Sequence, residues 1–282
     1  MTLVAVCSVK GSPGVTTACV ALGARWPEAE HPVVVEVDPA GGDLLARWRL
    51  AMSPGLVSLA AASRRTAEPG LVWQHTQRLP GGLPVVAGPV GATQARAALG
   101  ALAGSPVPVL REAANRVGTV VIADCGRADP DSAALPVMRA ADVTLLLARA
   151  CDDSLSHIAV RLEEAARWSR KTCFVLVGDG YPTAEVAREL GTEVLGRIPE
   201  DAKGAAACNG RPGRSTAPVR SAVGRAVADL AALVSWHARG EPDAHRGPYA
   251  YRLAPPPPDI DPPVWWRDTP APASTSRSGV ER

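Results

Sequence analysis

The sequence predicts an α/β fold: a mostly parallel sheet with helices on both faces, followed by a Pro-rich C-terminal tail. Three observations predict it. Seven short runs rich in β-branched residues are apolar at nearly every position, as strands covered on both faces are. Stretches with helical spacing lie between them, which makes βαβ units. Ten of the 27 prolines fall in 239–282, including Pro255–Pro258. The chain therefore divides into one domain over 1–238 and a tail over 239–282 whose composition favours extended, disordered backbone.

The first apolar run, Leu3–Val9, feeds Lys10-Gly11-Ser12-Pro13-Gly14-Val15-Thr16-Thr17 and then a helical stretch from Ala18 to Trp26. Strand, glycine loop and helix in that order suit phosphate. Glycines let backbone N–H groups turn toward phosphate oxygens, and the helix N-terminus adds partial positive charge. A threonine at the helix start can hold Mg²⁺. The GxxxxGK[ST] pattern is not met in full, because Val15 stands where its lysine would. On pattern alone a plain βα turn is the simpler explanation.

Three further features shift the balance. Lys10 opens the loop in a chain with only three lysines. The next run, Val33–Val37, puts Asp38 just past a buried strand. The run Thr119–Ala123 does the same for Asp124. A carboxylate at the C-terminal end of a hydrophobic strand is the Walker-B arrangement for Mg²⁺. In a parallel sheet these ends share one edge, where ligands bind. The runs Pro84–Ala87, Val143–Ala148, Cys173–Val177 and Val194–Ile198 complete the sheet. After Asp153, Leu155, Ile158, Leu162, Ala165 and Ala166 share a helical face with Ser154 as N-cap. Arg220–Trp236 reads as a closing helix.

Composition removes several function classes. Of 282 residues, 46% are hydrophobic and 21% charged, with a net charge of +2, so neither a strongly basic nucleic-acid binder nor an acidic tail protein is indicated. Aromatics at 4% leave little for base stacking. The six cysteines, Cys7, Cys19, Cys125, Cys151, Cys173 and Cys208, include no CxxC pair. They point to a reducing cytosol without a disulfide framework or zinc site. No stretch reaches 18 apolar residues, and the N-terminal run is too short for a signal sequence, so the expectation is a cytoplasmic protein without a transmembrane segment.

Taken together, the motifs resemble the ParA/MinD family of deviant Walker-A ATPases, the SIMIBI class of P-loop proteins. That family's loop reads KGGxGKT[ST], and a strand ending in DxDPQG and a Walker-B strand ending in Asp follow. Lys10 falls on its signature lysine, Thr16 on its Mg²⁺ threonine, Asp38 on the second Asp of DxD and Asp124 on the Walker-B aspartate. Glu36 replaces the first Asp. Leu195-Gly196-Arg197-Ile198-Pro199-Glu200-Asp201 and Asn209-Gly210-Arg211-Pro212 match its LGxIPxD…GxP stretch beside adenine, and Leu83-Pro84-Val85-Val86-Ala87-Gly88 resembles another of its strands. The likeness covers about residues 1–236 and implies a P-loop NTPase-like domain, a homodimer, and ATP with Mg²⁺ as cofactors.

By that resemblance, Thr16 and Asp124 are the expected metal ligands, and Lys10 and Asp38 the expected catalytic residues. Lys10, Gly11, Ser12, Pro13, Gly14, Val15, Thr16, Thr17, Pro199 and Asp201 are expected to bind the nucleotide. The departures matter as much. Val15 removes the lysine that contacts the β/γ-phosphates, a charge-assisted bond worth about 1.5–3 kcal/mol. Gly178 stands where many relatives carry an adenine-reading Asn, and Cys125-Gly126-Arg127 replaces the usual residues after Walker B. CpaE/TadZ-type pilus and septum-site members also lack the P-loop lysine. The resemblance therefore implies a positioning or partitioning factor (chromosome, plasmid, septum or pilus-pole type) that is either a weak ATPase or a nucleotide-independent scaffold. Five basic residues without an acid nearby, Lys203, Arg211, Arg214, Arg220 and Arg225, read either as a solvated face or as a nonspecific DNA contact. Trp265–Trp266 in the tail reads either as a segment lying on the domain or as a partner-binding motif.

Overall fold

The computed structural model describes residues 2–10, 12–27, 29–66, 68, 70–105, 107–210 and 220–238. In chain order the elements are β1 (Thr2–Ser8), α1 (Val15–Arg25), β2 (His31–Glu36), α2 (Leu44–Trp48), α3 (Leu56–Ser63), α4 (Leu71–Gln74), β3 (Gln77–Arg78), β4 (Pro84–Val86), α5 (Ala92–Ala103), α6 (Val109–Ala114), β5 (Thr119–Arg127), α7 (Leu135–Arg139), β6 (Val143–Arg149), α8 (Asp152–Ala165), β7 (Lys171–Val177), α9 (Thr183–Leu190), β8 (Val194–Ile198), α10 (Ala202–Cys208) and α11 (Ala222–Ala238).

The strands form one eight-stranded sheet in the order β3-β4-β2-β5-β1-β6-β7-β8. Every neighbouring pair is parallel except β3 and β4. From β1 the chain crosses to β2 on one side; from β6 it continues to β7 on the other. The direction of winding thus reverses between the adjacent strands β1 and β6, and their carboxyl ends open a crevice there.

The continuously apolar runs have a direct cause. Alternate residues of one strand enter two different cores. Leu3, Ala5 and Cys7 of β1 pack on one face with Leu59 of α3, Leu99 of α5, Leu110 of α6 and Ile158 of α8. Val4 and Val6 pack on the other with Val15, Cys19 and Leu22 of α1 and Val227 of α11. Neither face of the central strands meets water, so both alternation positions are mostly apolar, and the polar exceptions such as Glu36 and Asp124 are buried.

Several expectations need adjustment. β3 has no counterpart in the apolar runs; it is two residues paired antiparallel at the sheet edge. β5 runs on to Arg127, beyond the expected end at Ala123. Ser154 is not the N-cap of α8. Cys151 holds that position, and the Ser154 hydroxyl, inside the helix, accepts from the Arg149 N–H at 3.2 Å. Ala166 is exposed. α11 begins two residues after Arg220 and continues to Ala238. All six cysteines are free thiols. No helix among the described residues is long and apolar enough to cross a membrane. The Trp265–Trp266 segment, Arg211 and Arg214 lie outside the described residues.

Candidate functional site

β1 delivers the chain to the crevice, and the loop after it turns into α1 at Gly14. That residue has φ +92°, the left-handed region in which glycine alone is unstrained. α1 starts without a side-chain cap. Its first internal bond runs from the Ala18 N–H to the Gly14 carbonyl at 2.8 Å, so the amides of the preceding first-turn residues have no partner in the helix ladder. Free amides with the helix dipole behind them are the kind of donor set that suits an anion. Two residues weaken that set. Pro13 is buried and contributes no N–H. Val15, which the resemblance aligns with the phosphate lysine, is 8% exposed and packs in the α1-side core. Gly11 lies outside the described residues.

Acidic groups approach this turn from two neighbouring strands. Glu36 and Asp124 are register partners of β2 and β5. Asp124 is 1% exposed. One carboxylate oxygen, Oδ1, accepts from the Gly126 N–H at 3.1 Å. The other, Oδ2, is buried with no hydrogen-bond partner among the described residues. Burial raises the Asp124 pKa to about 6, against the opposing influence of the Thr16 hydroxyl, which approaches the carboxylate and favours its charged form. Asp38 follows β2 and is held against the end of β5. Its Oδ1 accepts from the Ala40 N–H at 2.7 Å, and a Cβ on Gly126 would stand 2.0 Å from its Oδ2. Burial raises its pKa as well.

Glu36 has a different role. Its Oε1 accepts from the N–H groups of Asp43 (2.7 Å) and Leu44 (2.9 Å), and its Oε2 from the Gly88 N–H at 2.9 Å. One buried carboxylate thus ties the loop after β2 and the loop after β4 to the sheet. Burial first, and the neighbouring Asp124 second, raise its pKa to about 7 despite those three bonds.

Two hollows flank the turn. The larger, about 670 Å³, opens over Thr16, Asp38 and Gly126, with Arg47 and Arg127 on its walls. The smaller, about 200 Å³, lies on the other side, between Thr17, Arg149, Gly178, Pro199 and Asp201. Ser12 and Gly14 line both. Asp201 also caps α10: Oδ1 accepts from Gly204 N–H at 2.9 Å and Oδ2 from Val223 N–H at 3.3 Å, bonds that hold its pKa down.

The structure therefore brings Ser12, Gly14, Val15, Thr16 and Asp38 to one hollow, with Asp124 buried beneath Thr16. It places Pro13, Thr17, Pro199 and Asp201 around the other, with Ser12 and Gly14 shared. Lys10 is exposed and lines neither. Lys203, Arg220 and Arg225 are exposed on α10 and around the start of α11. Sequence reasoning missed the bracing by Glu36, whose signal was an acid inside the run Val33–Val37. It also missed Arg47 and the link that joins it to Asn209 and Thr17: the Asn209 Oδ1 accepts from Arg47 Nη1 at 2.6 Å and from the Thr17 hydroxyl at 2.9 Å.

The donor set fits magnesium in part. Mg²⁺ takes oxygen ligands and keeps several waters, so a site often needs only one or two protein groups plus phosphate oxygens. A helix-start hydroxyl next to a buried, partnerless carboxylate oxygen supplies that share. Among the described residues no group of three or more His, Cys, Asp or Glu could hold a metal ion. A metal here would have to draw its remaining ligands from water and a bound phosphate.

No protein-family model matches the chain, and no curated protein matches it in sequence. Solved structures do match in fold. A ParA family ATPase from Chlorobium tepidum TLS is 16% identical with a TM-score of 0.65, the match covering 82% of this chain and 97% of that one. The septum site-determining protein MinD from Pyrococcus horikoshii OT3, complexed with Mg-ADP, is 16% identical with a TM-score of 0.60, covering 83% and 95%. A cobyrinic acid a,c-diamide synthase from Mycobacterium smegmatis, with bound ADP and magnesium, is 17% identical with a TM-score of 0.59, covering 85% and 96%. The chain has the fold of the ParA/MinD ATPases, and that fold also serves a biosynthetic enzyme.

Proposed function

We propose that this chain binds a purine nucleoside triphosphate with Mg²⁺ across the Ser12–Thr17 turn and acts as a ParA/MinD-like positioning or partitioning factor. The observation that carries the reading is the buried Asp124 carboxylate at the carboxyl edge of a parallel sheet: its Oδ2 has no hydrogen-bond partner among the described residues, and the carboxylate is approached by the hydroxyl of Thr16, which lines a hollow of about 670 Å³. Such an oxygen is costly to bury unless a ligand completes it. In this reading Thr16 and Asp124 hold Mg²⁺, which neutralises charge on the phosphates when bound. The first-turn amides orient the phosphates. Asp38, braced by Ala40 and Gly126, orients a water. The base lies in the smaller hollow between Gly178, Pro199 and Asp201. Lys10, exposed and outside both hollows, reaches the nucleotide of a second copy in a homodimer. Lys203, Arg220 and Arg225 contribute a nonspecific contact to DNA, together with Arg211 and Arg214. The tail over 239–282 carries the Trp265–Trp266 partner motif, and the protein works in the cytoplasm.

Val15 and Pro13 favour a second reading, in which the same domain is a nucleotide-independent pseudo-ATPase scaffold. Calorimetric titration with ATP and Mg²⁺, followed by phosphate release, separates the two. Binding with turnover that disappears in Asp38→Ala supports an ATPase. Binding without turnover leaves a nucleotide-gated binder. Binding only after Val15→Lys makes the wild-type site vestigial and supports the scaffold.

A further inference from the structure

The lysine lost at position 15 leaves the larger hollow without its expected cation, yet the hollow is not without cations. Arg47, on α2, lines it together with Gly14, Val15 and Thr16. Its guanidinium is fixed on two sides: Nη1 donates to Asn209 Oδ1 at 2.6 Å, and Nη2 pairs with the Asp43 carboxylate. The same Asn209 oxygen accepts from the Thr17 hydroxyl at 2.9 Å. One amide oxygen therefore sets the guanidinium two hydrogen bonds from the first turn of α1, close to the end at which a P-loop lysine acts. The Asn209–Gly210 turn is itself seated on α2, where a Cβ on Gly210 would stand 2.4 Å from the Arg47 carbonyl. The Arg47 charge reaches Asp124, whose ionised form it favours.

The chemistry of arginine suits this position. A planar guanidinium presents five donors and recognises phosphate oxygens bidentately. Among the described residues two of its nitrogens have partners, and one partner, Asp43, has a side chain 57% exposed. An exposed carboxylate gives up an ion pair at little cost. Arg96 and Arg127 also line the hollow and both are exposed; Arg127, at the end of β5, pairs with Asp129 at 3.0 Å, and among the described residues neither is hydrogen-bonded to α1.

We propose that Arg47 replaces the missing P-loop lysine, holding the outer phosphates of a bound nucleoside triphosphate through its guanidinium, with Asp43 as its counterion when the site is empty. This rests on the nucleotide-binding reading above. The test is calorimetric titration of the full chain with ATP and Mg²⁺, with folding of each variant checked by circular dichroism. Arg47→Ala weakens binding roughly ten- to a hundredfold. Val15→Lys introduced into Arg47→Ala restores it, a rescue that a merely structural arginine would not permit. Asp43→Asn, which frees the guanidinium, tightens binding several-fold and decides the question if Arg47→Ala does not fold. Wild-type binding left unchanged in Arg47→Ala, or no gain in Asp43→Asn when the alanine variant is unfolded, overturns the assignment alone. A wild-type chain that binds no ATP overturns both this assignment and the reading beneath it.

Discussion

Glu36 and Asp124 face each other as register partners on adjacent parallel strands, two carboxyl groups on the same side of the sheet and both about 1% exposed. Strands lie about 4.8 Å apart. Two ionised carboxylates at that spacing, without water, repel each other, and each is also penalised by burial. Their pKa values rise to about 7 and about 6.

The nucleotide-free chain should lose stability between pH about 4 and pH about 7. Both groups bind protons more tightly folded than unfolded. Their contribution is complete below the unfolded values near 4 and disappears as pH rises through 6 and 7. At about 1.4 kcal/mol per pKa unit, Asp124 alone accounts for about 2–3 kcal/mol. Asp124→Asn keeps the shape and removes the charge, so it should flatten the curve and raise the melting temperature at pH 7.5. Thermal melts across pH 4.5–8 check this; a variant less stable than wild type at pH 7.5 would contradict it.

Mg²⁺ with ATP should reverse that slope. A cation beside Asp124 favours its ionised form, so stabilisation by the complex should be larger at pH 7.5 than at pH 5.5, with proton release on binding near pH 6. Thr16→Val removes the hydroxyl proposed to hold the metal while preserving volume. It should abolish the Mg²⁺-dependent part of the stabilisation and leave the unfolding free energy without nucleotide within about 1 kcal/mol of wild type. Equal stabilisation of both proteins would remove Thr16 from the site.

Gly126→Ala should destabilise the chain by about 2–3 kcal/mol. The residue sits at φ +59°, and the added Cβ would meet the Asp38 carboxylate within 2.5 Å at all three of its outer atoms. Either the backbone or Asp38 must move. Denaturant unfolding measures the first, and turnover, if wild type has any, the second.

Gly42→Ala should cost about 1–3 kcal/mol, because its Cβ would stand 2.5 Å from Glu36 Oε2 and 2.7 Å from the Gly88 carbonyl. Gly100→Ala is the matched comparison. It lies in α5, exposed, with nothing within 4 Å of the added atom, and should stabilise by up to about 1 kcal/mol. The two unfolding curves should shift in opposite directions.

The sheet was legible because its central strands are shielded on both sides and therefore mostly apolar, while β8 at the far edge, half-buried with Arg197 in it, still carries an apolar run. β3 was not, since two residues at a sheet edge, Gln77 and Arg78, bury nothing that leaves a pattern. Asp38 and Asp124 could be read from their place just beyond or at the end of such runs. The bracing role of Glu36 could not, because its partners are backbone amides at 43, 44 and 88, which every sequence has. The Arg47–Asn209–Thr17 link joins positions up to 192 residues apart, and no local spacing encodes it. Ser154 was misread because a hydroxyl near a helix start serves equally well one turn inside it, here accepting from the end of β6.

Because Ser12 and Gly14 belong to the walls of both hollows, the two chambers adjoin at the same turn. A guest that occupied both would have to be elongated, with one end on each slope of that turn. Fragments would each grip a single slope, so adenosine and tripolyphosphate together should fall short of what one continuous molecule achieves.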